Sequence, residues 1–86
     1  MKYRIKEDVL WKIADGEAVI VNPANEKYSY LNSTGTEIWK MIDKNYSVHD
    51  IEEELTDIFD IPEAELKQDV SDIIDELKKQ DLIEQI

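Results

Sequence analysis

Cysteine is absent from this 86-residue chain, and glycine, proline and histidine are scarce. The lack of cysteine excludes disulfides, thiolate zinc sites, iron–sulfur ligation and thiol nucleophiles. Two glycines and two prolines are too few for a flexible linker, so we expect one domain over residues 1–86. No apolar run approaches the ~20 residues that span a bilayer, and the N-terminus is too polar for a secretory signal. These absences predict a small, soluble, cytoplasmic protein.

Positive charge is also in short supply, because ten lysines and arginines face 21 aspartates and glutamates, for a net charge of −11. Residues 1–31 are neutral overall, and residues 32–86 carry the whole excess. Binding to DNA or RNA needs a basic footprint, since neutralisation of phosphates supplies most of the affinity. The charge therefore argues against nucleic acid and anionic lipid as partners. Solubility and attraction to a basic partner both stay open as explanations of the acidity.

The first third of the chain has the composition and turn residues of a three-stranded antiparallel meander. Residues 1–8 are predicted to be a loose arm. Residues 10–14 and 17–21 are rich in strand formers and flank Asp15-Gly16, a strong signal for a two-residue hairpin. A third strand is predicted over residues 26–31, after a cluster of turn residues.

The predicted hairpin turn also sets the strand register. It places Trp11 opposite Ile20, and Ile13 opposite Ala18, so that these four side chains share one face of the sheet. The other face is largely apolar as well. We therefore expect helices to cover one side of the sheet and to leave the other partly covered.

From residue 32 the apolar spacing changes to the 3.6-residue period of helices. One helix is predicted over residues 36–44. A second follows Ser47, which forms a capping-box pattern with Asp50, and a third begins with Pro62 at its first position. The fold class predicted is α+β, with the order β-β-β-α-α-α. Its last two helices resemble the pair of a winged helix-turn-helix fold, with the strands as the wing.

Groups for catalysis or metal binding are few. His49 is the only histidine, and helix capping explains its neighbours Ser47 and Asp50 better than a catalytic triad does. The acidic run at residues 52–57 lacks the alternating ligands and central glycine of a calcium loop. No phosphate-binding loop or zinc motif is present. We predict no catalytic residue, metal or cofactor. A small acidic enzyme using His49 is kept as the lowest-ranked of three hypotheses.

The predicted third strand lies at an edge of the meander, where unpaired N–H and C=O groups can recruit another strand. No proline interrupts residues 26–31, and Glu26 and Lys27 provide only modest charge protection. Tyr28 and Tyr30 point away from the main core, either as ordinary surface residues or as a contact strip. The edge is compatible with strand addition by a peptide or by a second copy, so a monomer and an edge-paired homodimer both stay open.

The third helix has an apolar stripe with a distinct margin. The stripe consists of Leu66, Val70, Ile73 and Leu77. Ile74 lies at its margin, and Lys67 and Lys78 lie further round on the same side. This margin could form one wall of a groove. The alternative is a pair of exposed lysines whose stems cover the core.

Two segments of the sequence resemble a known family. The segment from Tyr28 to Trp39 looks like the Y-x-L-N-x-T-G-x-x-I-W stretch of PqqD-like proteins. Residues 69–83 resemble the family's closing D-V-x-x-F-L-x-x-L-x-x-x-x-L-I helix, with isoleucine in place of the aromatic residue. The resemblance covers about residues 10–85. It implies a recognition element for precursors of ribosomally synthesised and post-translationally modified peptides (RiPPs), a winged-helix domain that binds peptide instead of DNA.

The resemblance also implies a site and partners. In the family, the leader segment of a precursor adds to the third strand, packs on the third helix and is presented to a modifying enzyme. Such enzymes include radical S-adenosylmethionine (radical SAM) enzymes and the leader peptidases of lasso peptide pathways. With Lys67 from the helix margin added, the candidate peptide-binding residues are Glu26, Lys27, Tyr28, Ser29, Tyr30, Leu31, Lys67, Val70, Ile73, Ile74 and Leu77. The main alternative is a winged-helix DNA-binding regulator, although residues 62–80 carry three lysines against six acids.

Overall fold

A computed structural model describes all 86 residues as an α+β fold. The strands are β1 (Tyr3–Ile5), β2 (Leu10–Ala14), β3 (Glu17–Asn22), β4 (Lys27–Tyr30) and β5 (Ile83–Gln85). The helices are α1 (Ser33–Asp43), α2 (Val48–Ile58) and α3 (Glu63–Lys79). An antiparallel sheet of order β2-β3-β4 precedes the three helices, which confirms the predicted fold class, and β1 and β5 form a further pair. None of the helices has the length and apolarity that crossing a bilayer requires.

The β2–β3 hairpin has the register that its turn predicts. Trp11 pairs with Ile20, and Ile13 pairs with Ala18. Asp15 and Gly16 have φ values of 53° and 80°, and a type I′ turn requires positive φ at both positions. Ile20 and Ala18 are fully buried, so this face of the sheet packs against the helices.

The first residues of the chain are not the loose arm that their composition indicated. β1 pairs with β5 in an antiparallel register, and the Lys6 N–H donates to the Leu82 carbonyl at 3.1 Å. The Tyr3 side chain is buried. Strands of three residues at opposite ends of a chain have no local pattern that would reveal them. The C-terminal tail is extended, as predicted, and it pairs with β1 and leaves β4 uncovered.

Each helix begins where a capping interaction or a proline allows it. α1 starts three residues earlier than predicted because Asn32 Oδ1 accepts the Gly35 N–H at 2.9 Å. Before α2, Ser47 and Asp50 form the predicted capping box, and hydrogen bonds with the Ser47 side chain and backbone lower the pKa of Asp50. Pro62 is the residue before α3, not its first helical residue.

The core lies between the β2-β3-β4 sheet and the helices. The Trp39 side chain is fully buried, and its ring meets Trp11 edge to face with centroids 5.9 Å apart. Thr36 is also buried: its Oγ1 accepts the Ala18 N–H at 2.9 Å and donates to the Leu31 carbonyl at 3.2 Å. These two bonds join β3, the end of β4 and α1, and they fix the position of the β4 edge.

Candidate functional site

β4 is an edge strand whose outer side pairs with no other strand of the protein. On its inner side, the Leu31 N–H donates to the Ala18 carbonyl at 3.0 Å within the antiparallel β3–β4 register. N–H and C=O groups of successive residues alternate between the two sides of a strand. The main-chain groups of Ser29 therefore face β3, and those of Tyr28 and Tyr30 face the open edge.

A groove of about 720 Å³ runs between β4 and the C-terminal half of α3. The strand side and the start of α1 contribute Lys27, Tyr28, Ser29, Tyr30, Leu31, Asn32 and Gly35. The helix side and the residues after it contribute Ile73, Glu76, Leu77, Lys79, Gln80, Asp81 and Leu82, and the β3–β4 turn contributes Asn22 and Asn25. An open strand edge and an apolar helix surface thus line one groove, which is the arrangement that strand addition needs.

Gln80 connects α3 to the sheet across this groove. Its side-chain oxygen accepts the Ser29 hydroxyl at 2.5 Å, and its carbonyl accepts the Asn22 side-chain amide at 3.4 Å. Its own Nε2 donates to Glu76 Oε1 at 3.0 Å. These bonds hold the helix at a set distance from β4. The groove is therefore preformed, which lowers the ordering cost of binding a ligand.

The two acidic groups that line the groove already have partners. The Asp81 carboxylate forms an ion pair with Lys6, and this hydrogen bond raises the pKa of the lysine above its ordinary value. Glu76 accepts the Gln80 amide. The charge of Asp81 is therefore neutralised by a cation, whereas Glu76 keeps its negative charge because its partner is a neutral amide.

The structure brings seven of the eleven candidate residues together along the groove. These are Lys27, Tyr28, Ser29, Tyr30, Leu31, Ile73 and Leu77. Glu26 precedes β4 with a φ of 58°. Val70 and Ile74 are only 0% and 4% exposed because the core takes them. Lys67 lies elsewhere on α3, 3.3 Å from Glu63.

α3 lines the groove with one flank of its apolar stripe. The sequence allowed the margin with Lys67 and Lys78 to form a groove wall, but Glu76 and Lys79 on the other flank line the groove. Lys78 lies over the Tyr3 ring, with its Nζ 5.6 Å from the centroid. A periodic pattern identifies the buried stripe of a helix. It does not say which flank meets the sheet edge, because tertiary packing decides that.

The sequence contained an unused signal for part of the groove. Gly35 lies in the first turn of α1, where glycine weakens a helix and so calls for a packing reason. A Cβ atom at this position would lie 3.3 Å from both Asn32 Oδ1 and Leu31 Cβ. The glycine therefore lets the chain fold tightly at the end of β4. The groove residues that we did not predict are Asn22, Asn25, Asn32, Gly35, Glu76, Lys79, Gln80, Asp81 and Leu82.

The residues around His49 do not form a catalytic arrangement. Ser47 and Asp50 hydrogen-bond each other in the capping box of α2. The His49 side chain is 77% exposed, and its Nε2 lies 3.1 Å from Glu53 Oε1. No group of three or more histidine, aspartate or glutamate side chains is placed to hold a metal ion.

Comparison with known proteins identifies the family of this chain. Two solved structures are similar in fold. One is TbiB1 in complex with the TbiA(beta) leader peptide, with a TM-score of 0.91, 19% identity and 96% of each chain covered. The other is a lasso peptide synthetase B1 complexed with the leader peptide, with a TM-score of 0.89, 18% identity, and 99% of this chain and 100% of that chain covered. No match was found among curated proteins. The family model for Coenzyme PQQ synthesis protein D (PqqD) matches residues 17–83, from β3 into β5. Since that match spans most of its length, the chain belongs to the PqqD family.

Proposed function

We propose that this chain binds the leader segment of a ribosomally made precursor peptide and does no chemistry on it. The leader adds as a strand to the open edge of β4 and packs against α3. The domain then presents the precursor to a modifying enzyme, such as a radical SAM enzyme or a lasso-type leader peptidase. Holding the precursor in place raises its effective concentration at that enzyme. In this proposal residues 1–86 act as one cytoplasmic domain.

The observation that carries this proposal is the combination of an open β4 edge with a preformed groove beside it. The C-terminal tail pairs with β1, so no segment of the chain completes the sheet at β4. The main-chain groups of Tyr28 and Tyr30 can therefore bond an incoming strand. Ile73 and Leu31, both half-buried in the groove, offer apolar contacts to its side chains.

The relatives support the same proposal. The two structures of similar fold are both complexes with leader peptides, and the family is described by its role in the synthesis of coenzyme PQQ. A DNA-binding role has less support, because α3 would be the recognition helix and has twice as many acidic as basic residues within 62–80. A duplex would be repelled by that surface.

The test begins with a library of random linear 14-residue peptides, from which ligands are selected for binding to the full chain. The best selected peptide is then titrated into ¹⁵N-labelled protein, and amide shifts are followed by NMR. We expect the largest shifts at β4 and at residues 73–82. A random 20-base-pair duplex at low salt is the comparison ligand, and it should leave the spectrum unchanged.

Three outcomes would overturn the proposal. One is the absence of any enriched peptide. Another is a selected peptide whose shifts lie outside β4 and α3. The third is tight, salt-sensitive binding of the duplex, which would instead favour the winged-helix regulator.

A further inference from the structure

Unpaired positive charges outnumber unpaired negative ones in the groove, although the protein as a whole is strongly negative. Lys27 and Lys79 both line the groove and are exposed. Neither takes part in any of the five ion pairs of the protein. Of the two acids of the groove, Asp81 is paired with Lys6, whereas Glu76 bonds only the neutral Gln80 amide. A ligand in the groove therefore meets two unpaired ammonium groups and one carboxylate that no cation neutralises, which leaves a net positive charge.

Lys27 and Lys79 lie toward the same end of the groove. Lys27 begins β4. Gln80 reaches that end, because its carbonyl bonds Asn22, the residue paired with Lys27 in the sheet register. Lys79 precedes Gln80 in the chain and lines the same groove. Leu31 lies after the other end of β4 and packs against the core. The groove thus has a basic end and an apolar end.

The basic and apolar ends of the groove are separated by the length of β4, from Lys27 at its start to Leu31 just after it. Lys27, Ser29 and Leu31 are alternate residues, so their side chains share the face of β4 that looks toward α3. Ser29 is the middle one and is bonded to Gln80. In a strand added to β4, side chains on this face also occur at every second residue. These side chains would meet, in turn, the apolar Leu31, the Ser29–Gln80 hydrogen bond and the basic Lys27.

We propose, on the basis of the function proposed above, that the groove selects peptide strands of the pattern apolar-x-small-x-acidic. The apolar residue packs on Leu31, the small residue faces the Ser29–Gln80 bridge, and the Asp or Glu side chain meets Lys27 and Lys79. This order runs from the N-terminus to the C-terminus of the peptide, because the added strand is antiparallel to β4. Antiparallel pairing is the more stable kind per residue, and every other pairing in this protein is antiparallel.

The experiment repeats the selection from random 14-residue peptides on three versions of the full chain. They are the wild type, the double variant Lys27→Gln/Lys79→Gln, and the matched control Lys12→Gln/Lys44→Gln, whose lysines are also unpaired but lie outside the groove. We expect peptides from the wild type and the control to carry an acid four residues after an apolar residue. Peptides selected on the groove variant should lose that acid.

Fluorescence polarisation of the best wild-type peptide then gives the size of the effect. Replacing its acid by Gln should weaken binding about two- to fivefold at low salt, the range of exposed ion pairs, and 0.5 M NaCl should remove the difference. The variant Lys27→Glu should prefer the same peptide with Lys in place of the acid.

The outcomes separate this inference from the proposed function. If the selected peptides shift β4 and α3 amides but show no acidic preference, the charge pattern is wrong and the peptide-binding role stands. An acid placed four residues before the apolar one would overturn the antiparallel order. If no peptide is enriched on any version, both the inference and the proposed function are contradicted.

Discussion

The sheet has two open edges, and they differ in what lies beside them. β2 and β4 both flank β3 and have no partner on their outer sides. Because β3 bonds β4 through Ala18 and its alternate residues, it bonds β2 through the residues between them. The main-chain groups of Trp11 and Ile13 therefore face solvent at the β2 edge, as those of Tyr28 and Tyr30 do at β4.

The difference lies in the neighbouring helix. Five of the residues that line the 720 Å³ groove belong to β4 or directly follow it, and none belongs to β2. An added strand at β4 gains apolar contacts and specific side-chain contacts in addition to main-chain bonds. At β2 no groove adds to the main-chain bonds, which are worth only about 0.5–1.5 kcal/mol each. An open edge thus becomes a binding site when a second element forms a wall beside it.

The largest effect is expected from proline at neighbouring positions of β4. Ser29→Pro removes an N–H that bonds β3, and it should unfold this small domain, because proline in a ladder position is strongly disfavoured. Tyr30→Pro removes an N–H that faces the open edge, so the fold should persist while peptide binding weakens about tenfold or more. Thermal melts by circular dichroism and titration with the selected peptide check both statements.

Ile13→Pro is the matched control at the other edge. It removes an outward N–H from β2, and it should leave the affinity for the selected peptide within about twofold, since β2 contributes nothing to the groove. A loss of binding as large as that of Tyr30→Pro, in a variant that still melts cooperatively, would contradict the difference between the edges.

The next effect is expected in the peptide itself. Methylating single backbone nitrogens of the selected peptide removes one donor at a time and adds bulk on that side. Strand addition predicts an alternating result: methylation at every second position weakens binding about tenfold, and methylation between these positions has little effect. A uniform loss along the peptide would mean that it lies in the groove without joining the sheet.

A smaller effect is expected from the apolar wall. Ile73→Ala shortens a half-buried side chain that lines the groove, and it should lower the affinity about five- to tenfold, from about 1–1.4 kcal/mol of lost apolar contact. Ile58→Ala is the control, because Ile58 is 50% exposed at the end of α2 and lies outside the groove. Equal effects of the two changes on peptide affinity would contradict a contact at α3.

The smallest effect is expected at the turn between β4 and α1. Gly35→Ala adds a methyl group at 3.3 Å from Asn32 Oδ1 and from Leu31 Cβ. One of these neighbours must move by a few tenths of an ångström, so the groove narrows and we expect affinity to fall about two- to threefold. Isothermal titration calorimetry would detect this change. An unchanged or higher affinity would contradict the expected narrowing of the groove.

Much of the fold could be predicted because it rests on local patterns. The hairpin register follows from Asp15-Gly16, the start of α2 from the capping box, and the helix stripes from apolar periodicity. The strand side of the groove could be predicted in the same way, since residues 27–31 form an edge strand in any three-stranded meander. The family motif around Gly35 supported that prediction.

The remaining features depend on contacts between distant parts of the chain. β1 and β5 are three residues each and pair across nearly the whole sequence. The flank of α3 that faces β4 is set by bonds such as that between Gln80 and Ser29, which are 51 residues apart. The burial of Ile74, at the margin of the apolar stripe, likewise follows from how α3 is rotated. Apolar periodicity alone does not encode these choices.

Amide-resolved hydrogen exchange by NMR, with and without the selected peptide, tests strand addition at β4 most directly. We expect the Tyr28 and Tyr30 amides to exchange fast in the free protein and at least about tenfold more slowly in the complex, since both gain main-chain partners. The Ser29 amide, already bonded to β3, and the Trp11 and Ile13 amides at β2 should keep their rates. Unchanged rates at Tyr28 and Tyr30 in a saturated complex, or new protection at the β2 edge, would contradict it.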